Sequence, residues 1–216
     1  MIANNVTHNK QNYMPKTVVA ITGGIATGKS YISNIFRDLG HEVLSADSIA
    51  KDIVAMGTQG HKQLKESFAD YFNGDILDRA ALKEKISIDA SAKKTLDSIT
   101  HPLIFSKLKK LIDTSNNDIV IIEVPLLFEA GFDSLCNYTI CAFCTRGVQL
   151  KRLVRRDNIA IELANNLIDL QMNLAQKSKM CNFVIDTTLP KEKIIAEVEN
   201  IIKIINNLVT KQSQNA

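Results

Sequence analysis

Residues 23 to 30 read Gly23-Gly24-Ile25-Ala26-Thr27-Gly28-Lys29-Ser30 and fit the pattern G-x-x-x-x-G-K-[ST]. Each part of that pattern has a chemical task. The glycines let the backbone turn so that its N–H groups face inward. Those groups, with the start of a following helix, can hold phosphate oxygens. Lys29 adds a positive charge for the β- and γ-phosphates, and the Ser30 hydroxyl is a ligand for Mg²⁺. The surrounding sequence supplies what this chemistry requires, because a strand pattern precedes the motif and a helix pattern follows it.

Three further features carry charge where phosphoryl transfer would need it. Asp47 follows the second expected strand, in Leu44-Ser45-Ala46-Asp47. Ligands of open α/β sheets sit at the carboxyl ends of strands, so Asp47 can face the phosphates and take a proton from an attacking hydroxyl. It can equally cap a helix that begins at Ser48. Arg152, Arg155 and Arg156 cluster on one helical segment. They can close over a transferring phosphoryl group, or form an ordinary solvated basic face. Glu123 ends a strand pattern and can hold Mg²⁺ through water, although an acid flanking an apolar strand is common.

The elements that must position these residues follow from apolar periodicity. Strands are expected at Thr17 to Thr22, Val43 to Ala46, Ile119 to Val124, Tyr138 to Phe143 and Phe183 to Ile185, with helical patterns between them. Such alternation implies a parallel sheet covered on both faces. Ile32, Ile35, Phe36 and Leu39 share one face of a helix that Gly40 stops. From about Ser48 to Asn117 no strand is expected. That stretch reads as an inserted helical lobe, clearest at Ala80 to Ile86 and at Ala92 to Ile112, the latter broken by Pro102. Val148 to Met180 reads as a second helical insertion. The last helix, Lys191 to Leu208, carries an apolar stripe from Ile194 to Leu208 that is expected to cover the sheet. The division expected is an N-terminal extension 1–16, a core of 17–56, 115–147 and 181–209, a lobe 57–114, a lid 148–180 and a polar tail 210–216.

The totals bound the rest. A chain of 216 residues allows one α/β domain with smaller lobes. A formal charge of +3 does not argue for nucleic acid, and no apolar run approaches the ~20 residues of a membrane span. Met1 to Lys16 is polar and lacks the apolar stretch of a secretory signal; it reads as a disordered extension, with Met14 as an alternative start. Cys141 and Cys144 have C-x-x-C spacing but no second Cys/His pair to complete a zinc site. The sequons at Asn5 and Asn137 carry no information without a signal. The expected compartment is the cytoplasm.

At greater length the chain resembles the bacterial dephospho-CoA kinases, from about Val18 to Ile205. The segments that carry the resemblance are Thr22 to Ser30, Ser45 to Asp47 with Ile49-Ala50-Lys51, Gly57 to Gly60, Leu77-Asp78-Arg79, His101-Pro102-Leu103-Ile104, Val124 to Glu129, Gln149 to Arg152 with Arg156-Asp157, Gln171, and Val184-Ile185-Asp186. The loop alone is shared by many families; the H-P-L-I and P-L-L-F-E segments are far more specific. The resemblance implies a P-loop NTPase-type three-layer α/β fold with a parallel five-stranded sheet, a helical acceptor-binding insertion and a helical lid. It implies ATP and Mg²⁺ as cofactors and transfer of phosphate to the ribose 3′-hydroxyl of dephospho-CoA. Asp47 becomes the base, and Lys29 and Arg156 the charge stabilisers. Gly24, Ile25, Ala26, Thr27, Gly28, Lys29, Ser30, Tyr31 and Arg152 become the nucleotide set, with Ser30 on the metal. Arg79, His101, Pro125, Leu126 and Glu129 join Asp47 near the acceptor. No nucleic-acid or membrane partner is implied, and the expected state is a monomer or weak homo-oligomer.

This sequence departs from the family pattern at four places. Ser45 stands for an acid, leaving Asp47 the only carboxylate of its turn. Ala26 stands for a loop glycine, Tyr31 for a threonine, and Thr187 for an asparagine expected near adenine. Two other readings share the loop: a kinase for a nucleoside monophosphate or sugar-like acceptor, and a nucleotide-gated switch. A guanine-specific switch would show N-K-x-D after a late strand, and that motif is missing from the sequence.

Overall fold

The structure is a computed structural model that describes residues 16–214. The extension expected at 1–16, including Met14 and Asn5, therefore lies almost wholly outside the described residues.

The chain opens with strand β1 (Thr17–Thr22), helix α1 (Lys29–Asp38), β2 (Glu42–Ser45), α2 (Ala46–Ile53) and α3 (Gln59–Ser67). A two-residue hairpin follows, β3 (Phe72–Asn73) with β4 (Ile76–Leu77), then α4 (Arg79–Ile88) and the long α5 (Ala90–Thr114). Next are β5 (Ile119–Glu123), β6 (Tyr138–Phe143), α6 (Arg146–Asp157), α7 (Ile161–Asp169), α8 (Leu174–Met180), β7 (Phe183–Asp186) and α9 (Lys191–Gln214). The main sheet has the order β2-β5-β1-β6-β7 and every pairing in it is parallel.

The period of two along β1 divides its side chains between two cores. Val19 and Ile21 face α1 and α9, packing with Ile32, Phe36, Ile194, Val198 and Ile201. Val18 and Ala20 face the opposite side, where Ile49 of α2 and Ile104, Leu108 and Ile112 of α5 cover them. Both faces of the sheet are thus dry, which is why its strands read as continuous apolar runs. A separate cluster of Val54, Leu64, Phe68 and Leu82 fills the region between α2 and α5 in the chain. Another, built on Leu153, Ala164 and Ile168, fills the segment between β6 and β7.

Three expectations are corrected. Pro102 does not break its helix; α5 runs through it from Ala90 to Thr114. Proline removes one i→i−4 bond, but Ile104, Leu108 and Ile112 on the far side are buried against the sheet and hold the axis. The stretch expected to hold no strand contains the β3–β4 hairpin, pairing Phe72 with Leu77 and Asn73 with Ile76. Its strands are too short for a period to register. The polar stretch after Val209 continues α9 to Gln214 rather than forming a tail.

Candidate active site

The end of β1, the start of α1 and the ends of β2 and β5 meet at the carboxyl edge of the sheet. β1 delivers Gly23, whose φ of +148° belongs to glycine. A Cβ there would lie 2.6 Å from the Ala142 carbonyl and 2.7 Å from Thr27 Oγ1. Gly28 (φ +99°) starts α1, and that helix has no side-chain cap and no acid in its first turn. The N–H groups of Gly28, Lys29 and Ser30 donate to no described residue. An uncapped helix start of this kind favours an anion. Ala26 has φ +58°, the left-handed conformation in which glycine would be unstrained. Its methyl group packs with Ile25 against the Leu153 cluster.

Lys29 Nζ donates to the carbonyls of Gly24 (2.8 Å) and Gly23 (3.3 Å). Burial pulls its pKa down to about 8, against the opposing pull of the Glu123 and Asp47 carboxylates. Ser30 Oγ donates to Glu123 Oε1 at 2.8 Å. The pairing of β2 with β5 sets Ser45 beside Glu123, and so brings the Asp47 turn to the loop. Asp47 lies in the first turn of α2, but it is not the cap. Ser45 is, its hydroxyl accepting from the Ser48 N–H at 3.4 Å. No described residue makes a hydrogen bond or ion pair to the Asp47 carboxylate. Burial raises its pKa, Lys29 lowers it and Glu123 raises it. The result is a free carboxylate in a charged, partly desolvated corner, the setting in which functional acids and bases are found.

The basic helix α6 splits its arginines. Arg152 and Arg156, one turn apart, line a cavity of about 310 Å³ with Ala26, Gly28, Lys29, Ser30 and Tyr31. Arg155 is exposed and is not among its walls. Arg152 donates to Thr187 Oγ1 (2.8 Å) and to the Thr187 carbonyl (2.7 Å). Thr187 Oγ1 in turn donates to the Thr27 carbonyl at 2.6 Å. The threonine that departs from the family pattern thus ties the arginine to the loop. Arg156 pairs with neighbouring Asp157 at 2.6 Å.

The residues expected near the acceptor are more dispersed. The Pro125 carbonyl, at the end of β5, accepts from Lys177 Nζ at 2.9 Å. Leu126 is half-buried in the same turn, its carbonyl accepting from Ala130 N–H. Glu129 Oε1 lies 2.8 Å from Lys177 Nζ and accepts from Met172 N–H at 3.2 Å. His101 sits on α5, 3.5 Å from Asp97 Oδ1 and edge-on to Phe132. Arg79 begins α4 and lines a cavity of about 250 Å³ with Ala50, Val54, Leu64 and Leu82. Ile25 faces α6 and the α7–α8 connection: its N–H donates to Gln171 Oε1 and its carbonyl accepts from Gln149 Nε2, while the Gly24 carbonyl accepts from Lys29. Sequence reasoning missed Lys177, which is fully buried. A lone lysine in a polar helical stretch carries no signal of burial. Cys141 and Cys144 are buried free thiols, and among the described residues no group of His, Cys, Asp or Glu could hold a metal by itself.

A family model described as Dephospho-CoA kinase matches residues 17–191. The chain belongs to the dephospho-CoA kinase family. The matched span takes in the phosphate loop, Asp47, the His101 and Pro125 segments and α6. Among similar proteins, a dephospho-CoA kinase of Pseudoalteromonas translucida is 35% identical over 193 residues, covering 87% of this chain and 92% of its own. An uncharacterized protein of Caenorhabditis elegans is also 35% identical over 193 residues, covering 86% and 81%. Similarity to this kinase family therefore does not single out a bacterial source. The solved structure of the dephospho-CoA kinase from Campylobacter jejuni superposes with a TM-score of 0.65 at 29% identity, covering 88% of this chain and 97% of that one. No helix of the described residues is long and apolar enough to cross a membrane.

Proposed function

We propose that the protein transfers the γ-phosphoryl group of ATP to the ribose 3′-hydroxyl of dephospho-CoA, giving coenzyme A. The observation that carries this reading is the family match over residues 17–191, which joins the loop to the acceptor segments. The phosphates lie on the N–H groups of Gly28, Lys29 and Ser30. Asp47, with no partner of its own among the described residues, orients the hydroxyl and removes its proton. Lys29 and Arg156 offset the charge that develops on the moving group, and Arg152 holds the lid over the loop.

The oxygens of Ser30 and Glu123, 2.8 Å apart, suit a hard cation such as Mg²⁺. Bound there, Mg²⁺ would supply charge neutralisation at the β- and γ-phosphates. The scarcity of other carboxylates fits an ion held mainly by substrate phosphates and water. We assign the reaction to the cytoplasm on the four free cysteines, in a monomer or weak homo-oligomer of the bacterial type of this kinase. No nucleic-acid or membrane partner enters the scheme.

Mass analysis of dephospho-CoA incubated with the purified protein, ATP and Mg²⁺ tests the proposal. One added phosphate is expected, with ADP formed only when the acceptor is present. ADP appearing at the same rate without acceptor would favour an ATPase or switch. Faster transfer to nucleoside monophosphates would favour the other kinase reading.

The Lys29 ammonium gives a pH test. A pKa near 8 means that above about pH 8 the free protein has lost this proton. Bound phosphates restore it, so binding must then take up a proton. ADP affinity is expected to be level between about pH 7 and 8. Above that it should fall by up to about tenfold per pH unit, the limit for one coupled proton. Calorimetric titration checks this, with Lys29→Arg as the control that lacks the falling limb. A level profile to about pH 10 in the parent protein would count against the assignment.

A further inference from the structure

Two side chains of the lid grip one residue of the phosphate loop, Ile25, one by its N–H and the other by its carbonyl. Gln149 of α6, only 3% exposed, donates from Nε2 to the Ile25 carbonyl at 2.8 Å. Gln171, between α7 and α8, accepts from the Ile25 N–H at 2.6 Å through Oε1. The backbone fixes both amide orientations, because an N–H can only donate and a carbonyl can only accept. Gln149 comes so close that a Cβ on Gly24 would lie 2.6 Å from its Nε2. A side chain at position 24 would therefore displace the Gln149 amide. Apolar packing reinforces the grip: Ile25 and Ala26 belong to the lid's own small core with Leu153, Ala164 and Ile168.

We propose that Gln149 and Gln171 are positioning residues that hold the phosphate loop in its nucleotide-binding conformation. Neither touches the reacting atoms. They act through the Ile25 backbone, which sets the direction in which the chain enters Ala26 and the N–H groups beyond it. The lid and the loop are therefore one mechanical unit. The proposal rests on reading residues 23–30 as the phosphate site.

The two glutamines use opposite ends of the same functional group, and this gives a directional test. Gln171→Glu keeps an oxygen acceptor for the Ile25 N–H. Gln149→Glu replaces a donor with a carboxylate facing the Ile25 carbonyl. Both place a carboxylate against the Ile25 backbone, Gln171→Glu facing a donor and Gln149→Glu, at the more buried site, facing an acceptor. ADP affinity in Gln149→Glu is expected to be about tenfold or more below that of Gln171→Glu, the cost of opposing a backbone acceptor instead of bonding it. Thermal unfolding is followed in parallel. Should Gln149→Glu not fold, neutral Gln149→Met serves in its place, with a loss of ADP affinity of about tenfold expected. Equal affinities in the two Glu variants, or a lowered Tm with ADP binding unchanged, would overturn the proposal. ADP binding needs no acceptor, so failure of the parent protein to phosphorylate dephospho-CoA would leave this measurement standing.

Discussion

Asp47→Asn is expected to lower kcat by about 10²-fold or more, the size of a lost general base, with ADP affinity within about twofold of the parent. The substitution preserves shape and removes the negative charge together with the proton affinity. It leaves the cap of α2 intact, since that bond belongs to Ser45. It also leaves the loop intact, because Lys29 bonds to the Gly23 and Gly24 carbonyls and not to Asp47. A structural role would therefore be nearly silent, and the variant separates the two roles that sequence alone allows. The pH profile adds a second readout. Burial and the Glu123 charge raise the Asp47 pKa, with Lys29 opposing. A base works only when deprotonated, so kcat should fall as the pH drops through a value above the ordinary carboxylate range. That acidic limb should vanish in the Asn variant. Turnover near the parent level in Asp47→Asn would remove Asp47 from the chemistry.

The second large effect is expected on stability. Lys177 is wholly buried, with its ammonium 2.9 Å from the Pro125 carbonyl and 2.8 Å from Glu129 Oε1. Breaking a buried pair by removing one partner costs about 3–5 kcal/mol. The Glu129 side chain keeps 23% of its surface in water, which moves the expectation for Lys177→Met to about 3 kcal/mol. For a chain of this size that is a fall in Tm of about 6–12 °C. Methionine fills similar space, so the loss comes from the stranded carboxylate and carbonyl rather than from a cavity. Adding Glu129→Leu should then recover part of it, because a buried pair replaced as a whole by apolar groups can be nearly neutral. A fall of less than about 2 °C in the single variant, or no recovery in the double one, would show that the ammonium contributes little. Because Lys177 also fixes the turn at Pro125, a raised KM for dephospho-CoA is expected in Lys177→Met, beyond any change in the KM for ATP.

Much of this architecture is legible in the chain. Apolar runs define the three central strands β1, β5 and β6, since a strand buried on both faces has little room for polar side chains, while the shorter outer strands β2 and β7 are read from their Val-Leu and Phe-Val-Ile stretches. The loop pattern is eight contiguous residues, readable because positive φ falls at Gly23 and Gly28 and a helix follows. Local rules suffice where the partners of a group are its own chain neighbours.

They fail where the partners are distant. Glu123 remains ambiguous in the sequence until the order β2-β5-β1 sets it beside Ser30, 93 positions away along the chain. Asp47 offers two roles until Ser45 takes the cap. Three arginines look alike until helical phase sets Arg152 and Arg156, and not Arg155, along the Lys29 cavity. Lys177, Gln149 and Gln171 gain their meaning from desolvation, and a charge or an amide is costly to bury only where the fold removes its water. The sequence by itself determined where the G-x-x-x-x-G-K-[ST] loop falls, between β1 and α1, and so where phosphate is expected. The tertiary structure alone decided which carboxylate stands free beside it and what holds the loop in shape, because those depend on contacts between segments whose separation along the chain carries no energetic signal.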